Sequence, residues 1–171
     1  QLIKHVHIFA PQDLGIQDIL ISEGHIAHIA PHIETAPYME ITDGSGKQLT
    51  PGLIDRHVHV SGGGGEGGFA TRTPEIQLSA LIQAGITTVV GLLGTDGVTR
   101  SVEDLIAKVK ALKSEGISAY AMTGSYAYPS TTITGSVKKD ILFIDEILGV
   151  KLALSDHRSS HISFEEFLRL A

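Results

Sequence analysis

The chain has 171 residues, a formal net charge of −6 and no cysteine. Its length suits a domain of ordinary size with apolar residues enough for a core, while the acidic balance and the dispersed Lys and Arg argue against a nucleic-acid surface. Without cysteine, disulfides and thiolate ligands are excluded, so any metal must be held by His, Asp, Glu or a modified Lys.

Up to about Gln48 the chain gives short alternating segments, Ile3 to Phe9, Asp18 to Ile21, His25 to Ile29 and Met39 to Thr42, with turn signals at Glu23-Gly24 and Asp43-Gly44. They predict the first part of a small β-sandwich-like domain over residues 1–48. The first segment contains His5-Val6-His7, and alternation puts both histidines outward with Val6 and Ile8 facing a core. No apolar run reaches membrane-spanning length, and Gln1-Leu2-Ile3-Lys4-His5 makes no secretory leader, so a cytoplasmic protein with no membrane partner is expected. Gln1 in place of Met suggests a start other than the native one.

Over residues 49–171 the rhythm becomes strand then helix, repeated. Strands are expected at Leu53 to Val60, Ile86 to Leu93, Ile117 to Thr123 and Val150 to Leu154, and helices at Pro74 to Ala84, Val102 to Ser114 and Val137 to Leu148. Thr73 before Pro74, Ser101 and Ser136 suit N-caps, and Gly85 and Gly116 stand where helices end. Ser163-Phe164-Glu165-Glu166 is a capping box, and Phe164, Phe167, Leu168 and Ala171 share the face of a helix that it opens. The fold class is therefore α/β: four strand-helix units of a TIM-like (β/α)8 barrel, the first part of a larger protein, since a full barrel needs about 250 residues.

His57-Val58-His59 ends the first of these strands and runs into Ser61-Gly62-Gly63-Gly64-Gly65-Glu66. Residues two apart in a strand share a face, so both imidazoles can reach one metal ion, while the glycine run lets a substrate lie against the backbone. In barrels of this type, catalytic groups gather where strands end. Gly94, Thr95 and Asp96 follow the second strand, Thr123, Gly124 and Tyr126 the third, and Asp156, His157 and Arg158 the fourth. Lys151 lies within that fourth, apolar strand, where a buried ammonium needs compensation. Three readings are open to it: a cation snorkelling to the rim or paired with a carboxylate, a Schiff-base amine, or a neutral amine that captures carbon dioxide as a metal-bridging carbamate.

Taken together, HVH, the glycine run ending in Glu66, Gly91-Leu92-Leu93-Gly94-Thr95-Asp96, Thr132-Ile133-Thr134-Gly135-Ser136 and Ser155-Asp156-His157-Arg158-Ser159 resemble the isoaspartyl (β-aspartyl) dipeptidase family, binuclear-zinc members of the amidohydrolase superfamily. The resemblance covers essentially the whole chain, though the family's enzymes look about twice as long. It implies that His57 and His59 ligate the more buried zinc and that carboxylated Lys151 bridges two zinc ions. It further implies that Glu66 holds the substrate α-ammonium, with Gly64 and Thr95 lining the pocket, that Tyr126 hydrogen-bonds the carbonyl under attack and that Arg158 pairs with the α-carboxylate. The implied reaction is hydrolysis of the β-aspartyl bond of a dipeptide by a metal-bridging hydroxide, in a homo-oligomer. Thr95 and Arg158 also have plainer readings, as an N-cap and a surface ion pair.

The family's remaining histidine ligands and its proton-shuttling aspartate come from later strands than these four, and neither His157 nor His161 suits as a replacement. Two other readings stand beside the first: a cyclic-amide amidohydrolase of dihydroorotase or hydantoinase type, which has no need of Glu66, and an inactive barrel fragment with an assembly role.

Overall fold

Period-two alternation becomes a five-stranded mixed sheet in the computed structural model, which describes residues 1–170. The unit Gln1–Pro51 contains β1 (Leu2–Phe9), β2 (Asp13–Ser22), β3 (His25–Ala30), β4 (Ile41–Asp43) and β5 (Gln48–Leu49). Their order is β3-β2-β1-β4, with β5 also on β1; the β1-β2 and β2-β3 pairs are antiparallel and β4 and β5 join in parallel. Val6, Ile8 and Ile19 make its core. His5 is exposed, as alternation predicts, and is turned further outward by a register shift where its φ is 58°. The partly buried His7 bonds Asp13 at 2.6 Å and stacks on Phe9 with ring centres 4.5 Å apart. His7 is thus held by Asp13 and Phe9, and His5 lies at the surface.

The second unit, Gly52–Ala171, contains β6 (Leu53–Val58), α1 (Leu78–Gln83), β7 (Ile86–Gly91), α2 (Val102–Ser114), β8 (Ser118–Gly124), α3 (Val137–Phe143), β9 (Ile147–Lys151) and α4 (Phe164–Leu170). The sheet is parallel throughout with strands in chain order, giving four consecutive strand-helix units of an α/β barrel. Its core is built from β7, α2 and β8: Val89, Leu105, Val109, Leu112, Ala119 and Ala121 are fully buried. Ser101 and Ser136 cap α2 and α3 by accepting from the amides of Asp104 and Lys139, and Ser163 and Glu166 form the reciprocal box at α4. Gly85 and Gly116 close α1 and α2 with φ of 73° and 109°, a conformation that side chains disfavour. Ala171, expected on the apolar face of α4, lies outside the described residues.

Four expectations need correction. The first helix begins at Leu78, not Pro74, because Thr73 closes the glycine loop instead of capping: its hydroxyl accepts from Gly63 N–H and its own N–H donates to Gly63 O, both at 2.9 Å. Ile76 N–H then bonds Val60 O at 3.0 Å, which holds the segment extended beside the end of β6. The third helix stops at Phe143, since Ile144 is extended, and β9 starts at Ile147, earlier than expected, which puts Lys151 at the strand's end. Finally, β7 ends at Gly91 and β6 at Val58, each two residues earlier than expected, and β6 is an edge strand. It pairs with β7 alone, leaving Leu53 and Ile54 60% and 65% exposed; β9 forms the other open edge, with Leu148 exposed.

Candidate active site

Because the four strands run in parallel, their C-terminal ends share one rim of the sheet. His57 and His59 stand at the end of β6, with ring centroids 5.6 Å apart and planes at 88°. His59 Nδ1 lies 3.0 Å from Leu92 O, an atom that can only accept, which fixes this nitrogen as the donor and makes Nε2 the nitrogen available to a metal in the neutral ring. The slot around His59 admits no side chain: a Cβ on Gly63 or on Gly94 would come within 3.2 Å of its atoms. Partial desolvation by its neighbours, then the charges of Lys151 and His59, push His57 below the ordinary histidine value, which favours the neutral, ligating form. His57 itself is exposed on the open edge of β6.

Lys151, half-buried, ends β9 beside Gly124, where a Cβ would meet Lys151 O at 2.5 Å. Its Nζ is 5.0 Å from the centre of the Tyr126 ring, and Arg158 Cζ is 5.3 Å from the same ring. Tyr126 is fixed through its backbone, its N–H donating to Gly94 O at 3.3 Å and its carbonyl accepting from Ala153 N–H at 3.2 Å. The loops after β7, β8 and β9 therefore converge on this one residue.

Beyond Tyr126 the charges pair. Glu66 Oε1 lies 3.2 Å from Thr95 Oγ1 and 3.2 Å from an Arg158 terminal nitrogen. Asp156 grips the other side of that guanidinium, accepting from Nε at 2.9 Å and NH2 at 2.7 Å. This grip holds the Asp156 carboxyl well below its ordinary value and raises Arg158 above its own. Glu66 is lowered by its own backbone N–H, then by Thr95. Gly64, Glu66, Thr95 and Arg72 line a cavity of about 160 Å3. Thr95 is a partner of Glu66, so its reading as a helix cap falls away; that role belongs to Ser101.

All eight site residues expected from the sequence thus lie in the strand ends and rim loops of one sheet: His57, His59, Lys151 and Tyr126 in one group, Glu66, Gly64, Thr95 and Arg158 in the other, with Tyr126 touching both. Among the described residues no three of His, Cys, Asp and Glu converge as a ready metal site. The imidazoles of His57 and His59 and the Lys151 amine stand instead at the ends of strands of one sheet, a donor set that would suit zinc once the amine carried a carboxylate. His157 is 89% exposed and His161 also faces out, as surface loops dictate.

Two supporting residues carry no motif that sequence reading could use. Asp140, on α3 and fully buried, accepts from Thr123 Oγ1 at 2.6 Å, Thr134 Oγ1 at 2.7 Å and the amides of Ile133 and Thr134 at 3.0 and 2.9 Å. Burial raises its carboxyl, but these bonds prevail and leave it below the ordinary value. It thereby anchors both ends of the loop that carries Tyr126. Arg100, the residue before the α2 cap, is buried beneath the glycine run.

No family model matches the chain. Among solved structures, the β-aspartyl dipeptidase of Fervidobacterium islandicum AW-1, crystallised with the dipeptide β-Asp-Leu, is 50% identical with a TM-score of 0.94, over 99% of this chain and 45% of its own. A D-hydantoinase (dihydropyrimidinase) from Thermus sp. superposes with a TM-score of 0.66 at 20% identity, over 98% of this chain and 36% of its own, a likeness of fold alone. A curated dihydroorotase from Staphylococcus aureus is 36% identical over 112 residues, 66% of this chain and 26% of that protein. The chain thus spans less than half the length of the relatives it matches.

Proposed function

Since this chain resembles the N-terminal part of the β-aspartyl dipeptidases of the amidohydrolase superfamily, we propose that the protein carrying it hydrolyses the β-aspartyl bond of dipeptides. The observation that carries this reading is the contact of Glu66 with Arg158 at 3.2 Å. In a β-aspartyl dipeptide the free α-ammonium and α-carboxylate sit on the same carbon, so groups that bind them must be neighbours, not the two ends of a long clamp. Glu66 accepts from the ammonium and Arg158 donates to the carboxylate, exchanging their mutual contact for two of the same polarity. Asp156 keeps the guanidinium in plane for that carboxylate. An α-aspartyl dipeptide has its α-carboxyl in the amide bond, leaves Arg158 without its partner and is rejected on that ground.

His57, His59 and a carboxylated Lys151 would hold the zinc, which when bound supplies a water of lowered pKa and polarises the amide carbonyl. Glycines on two sides fix the His59 ring, and the Leu92 carbonyl fixes its tautomer. Tyr126, gripped by its backbone between two loops, donates a hydrogen bond from its hydroxyl to the oxygen on which charge develops. The amide C–N bond is cleaved by water, giving aspartate and a second amino acid.

A cyclic-amide hydrolase is the second reading, favoured by the 36% identity to a dihydroorotase. Rates on β-Asp-Leu, α-Asp-Leu and dihydroorotate separate the two. Selective β-cleavage that falls about a hundredfold in Glu66→Gln supports the dipeptidase, by loss of a charge that meets the substrate. Turnover of dihydroorotate that survives Glu66→Gln, with none of β-Asp-Leu, overturns it.

A further inference from the structure

Arg100 is 8% exposed, and a guanidinium stays charged in proteins. Its hydrogen bonds all go to main-chain carbonyls: NH1 to Ser61 O, and NH2 to Gly63 O at 3.3 Å and to Thr73 O at 2.8 Å. These carbonyls lie on both arms of the loop between β6 and α1, the outgoing arm with the glycine run and the returning arm at Thr73. Gly63 and Thr73 are also joined directly, which sets Gly64 opposite Arg72 as an isolated antiparallel pair. Gly62 belongs to the same arrangement, because at φ 94° its missing Cβ leaves the space that Arg100 NH1 and Thr73 O occupy. The glycine run is therefore shaped as much by an arginine below it as by any substrate above it.

A trans peptide points its C=O and N–H in opposite directions. With Gly63 O turned to Arg100, Gly64 N–H is turned away, and within the described residues it makes no hydrogen bond. Gly64 lines the cavity that holds Glu66 and Thr95. A cation on the carbonyl of a peptide also strengthens the donor at its nitrogen.

We propose that Arg100 is a positioning residue for the substrate pocket, pinning both arms of the glycine loop so that Gly64 N–H is presented, polarised, to the substrate α-carboxylate beside Glu66. This rests on the dipeptide reading. Arg100 touches neither substrate nor metal ligand; it acts through the Gly63-Gly64 peptide.

The test is made on the intact zinc-loaded protein. Arg100→Ala should raise KM for β-Asp-Leu about tenfold, and the inhibition constant of free aspartate with it, while kcat stays within about twofold. Zinc content should not change. Millimolar guanidinium, but not methylammonium, should restore KM by refilling the vacated space. Arg100→Lys, whose compact charge cannot span three carbonyls, should fall between. An unchanged KM, or a fall in kcat alone, overturns the proposal. If Arg100→Ala does not fold, Arg100→Lys carries the test by the same criteria. A wild-type protein inert on β-Asp-Leu refutes the dipeptide reading instead; amide exchange at Gly63 and Thr73 then decides, and exchange unchanged in Arg100→Lys overturns the role of Arg100.

Discussion

The tripeptide His-Val-His occurs twice, and its two copies have little in common beyond spelling. In β1 it lies inside a central strand of a mixed sheet, where a register shift turns His5 outward and His7 is taken up by Asp13 and Phe9. In β6 it lies at the end of a parallel strand, where His59 is fixed by a carbonyl and two glycines and both rings share a rim with Lys151 and Tyr126. Spacing brings two imidazoles to one side in either case. What differs is whether anything orients them and whether a third donor can reach them, and both follow from position in the fold.

The strongest attempt to break that contrast exchanges the histidines themselves. In the intact protein, His57→Ala and His59→Ala should each abolish stoichiometric zinc and lower turnover by more than the 10–100-fold typical of losing a supporting group, whereas His5→Ala with His7→Ala should leave both unchanged. Metal analysis beside β-Asp-Leu hydrolysis reads this. Next in size, Gly94→Ala places a methyl against His59 Cε1 at 3.2 Å and should cost about 10–100-fold in zinc affinity, a loss seen by chelator competition.

A smaller effect sharpens the comparison through carboxylates. Asp140→Ala strands Thr123 and two amides in the interior and should destabilise the protein by about 2–4 kcal/mol in denaturant titrations, whereas Asp13→Ala, beside the surface pair, should leave the midpoint where it is. Asp140 is also the group to watch in acid. Its native pKa is lowered, so its contribution is complete above the ordinary carboxylate value, about 4, and is lost as pH falls through the native value. Asp140→Asn should therefore flatten the acid limb of the stability curve.

Most of the second unit was legible in the sequence because its signals are local. Ser101, Ser136 and the Ser163 and Glu166 pair lie within a turn of what they cap, and glycine marks the helix ends. The outward placing of His5 was equally legible from alternation. What escaped depends on partners far along the chain. Thr73 has the look of a helix start, yet Gly63 claims it, and Glu146 is drawn inside by Lys113, 3.0 Å away, just where β9 begins. Asp140 and Arg100 read as ordinary surface charges until the fold buries them among groups 17 and 39 residues distant. The candidate site residues were visible from spacing and strand ends, and their roles through family resemblance; the closeness of Glu66 to Arg158, 92 residues apart, was visible in neither.

The two open edges of the parallel sheet have a consequence for how such a chain is handled. β6 and β9 each offer an unsatisfied row of backbone donors and acceptors, flanked by exposed Leu53, Ile54 and Leu148. Strands of this kind recruit one another between molecules, so the four-stranded unit handled by itself is aggregation-prone. Low protein concentration during refolding of these residues is what that geometry asks for.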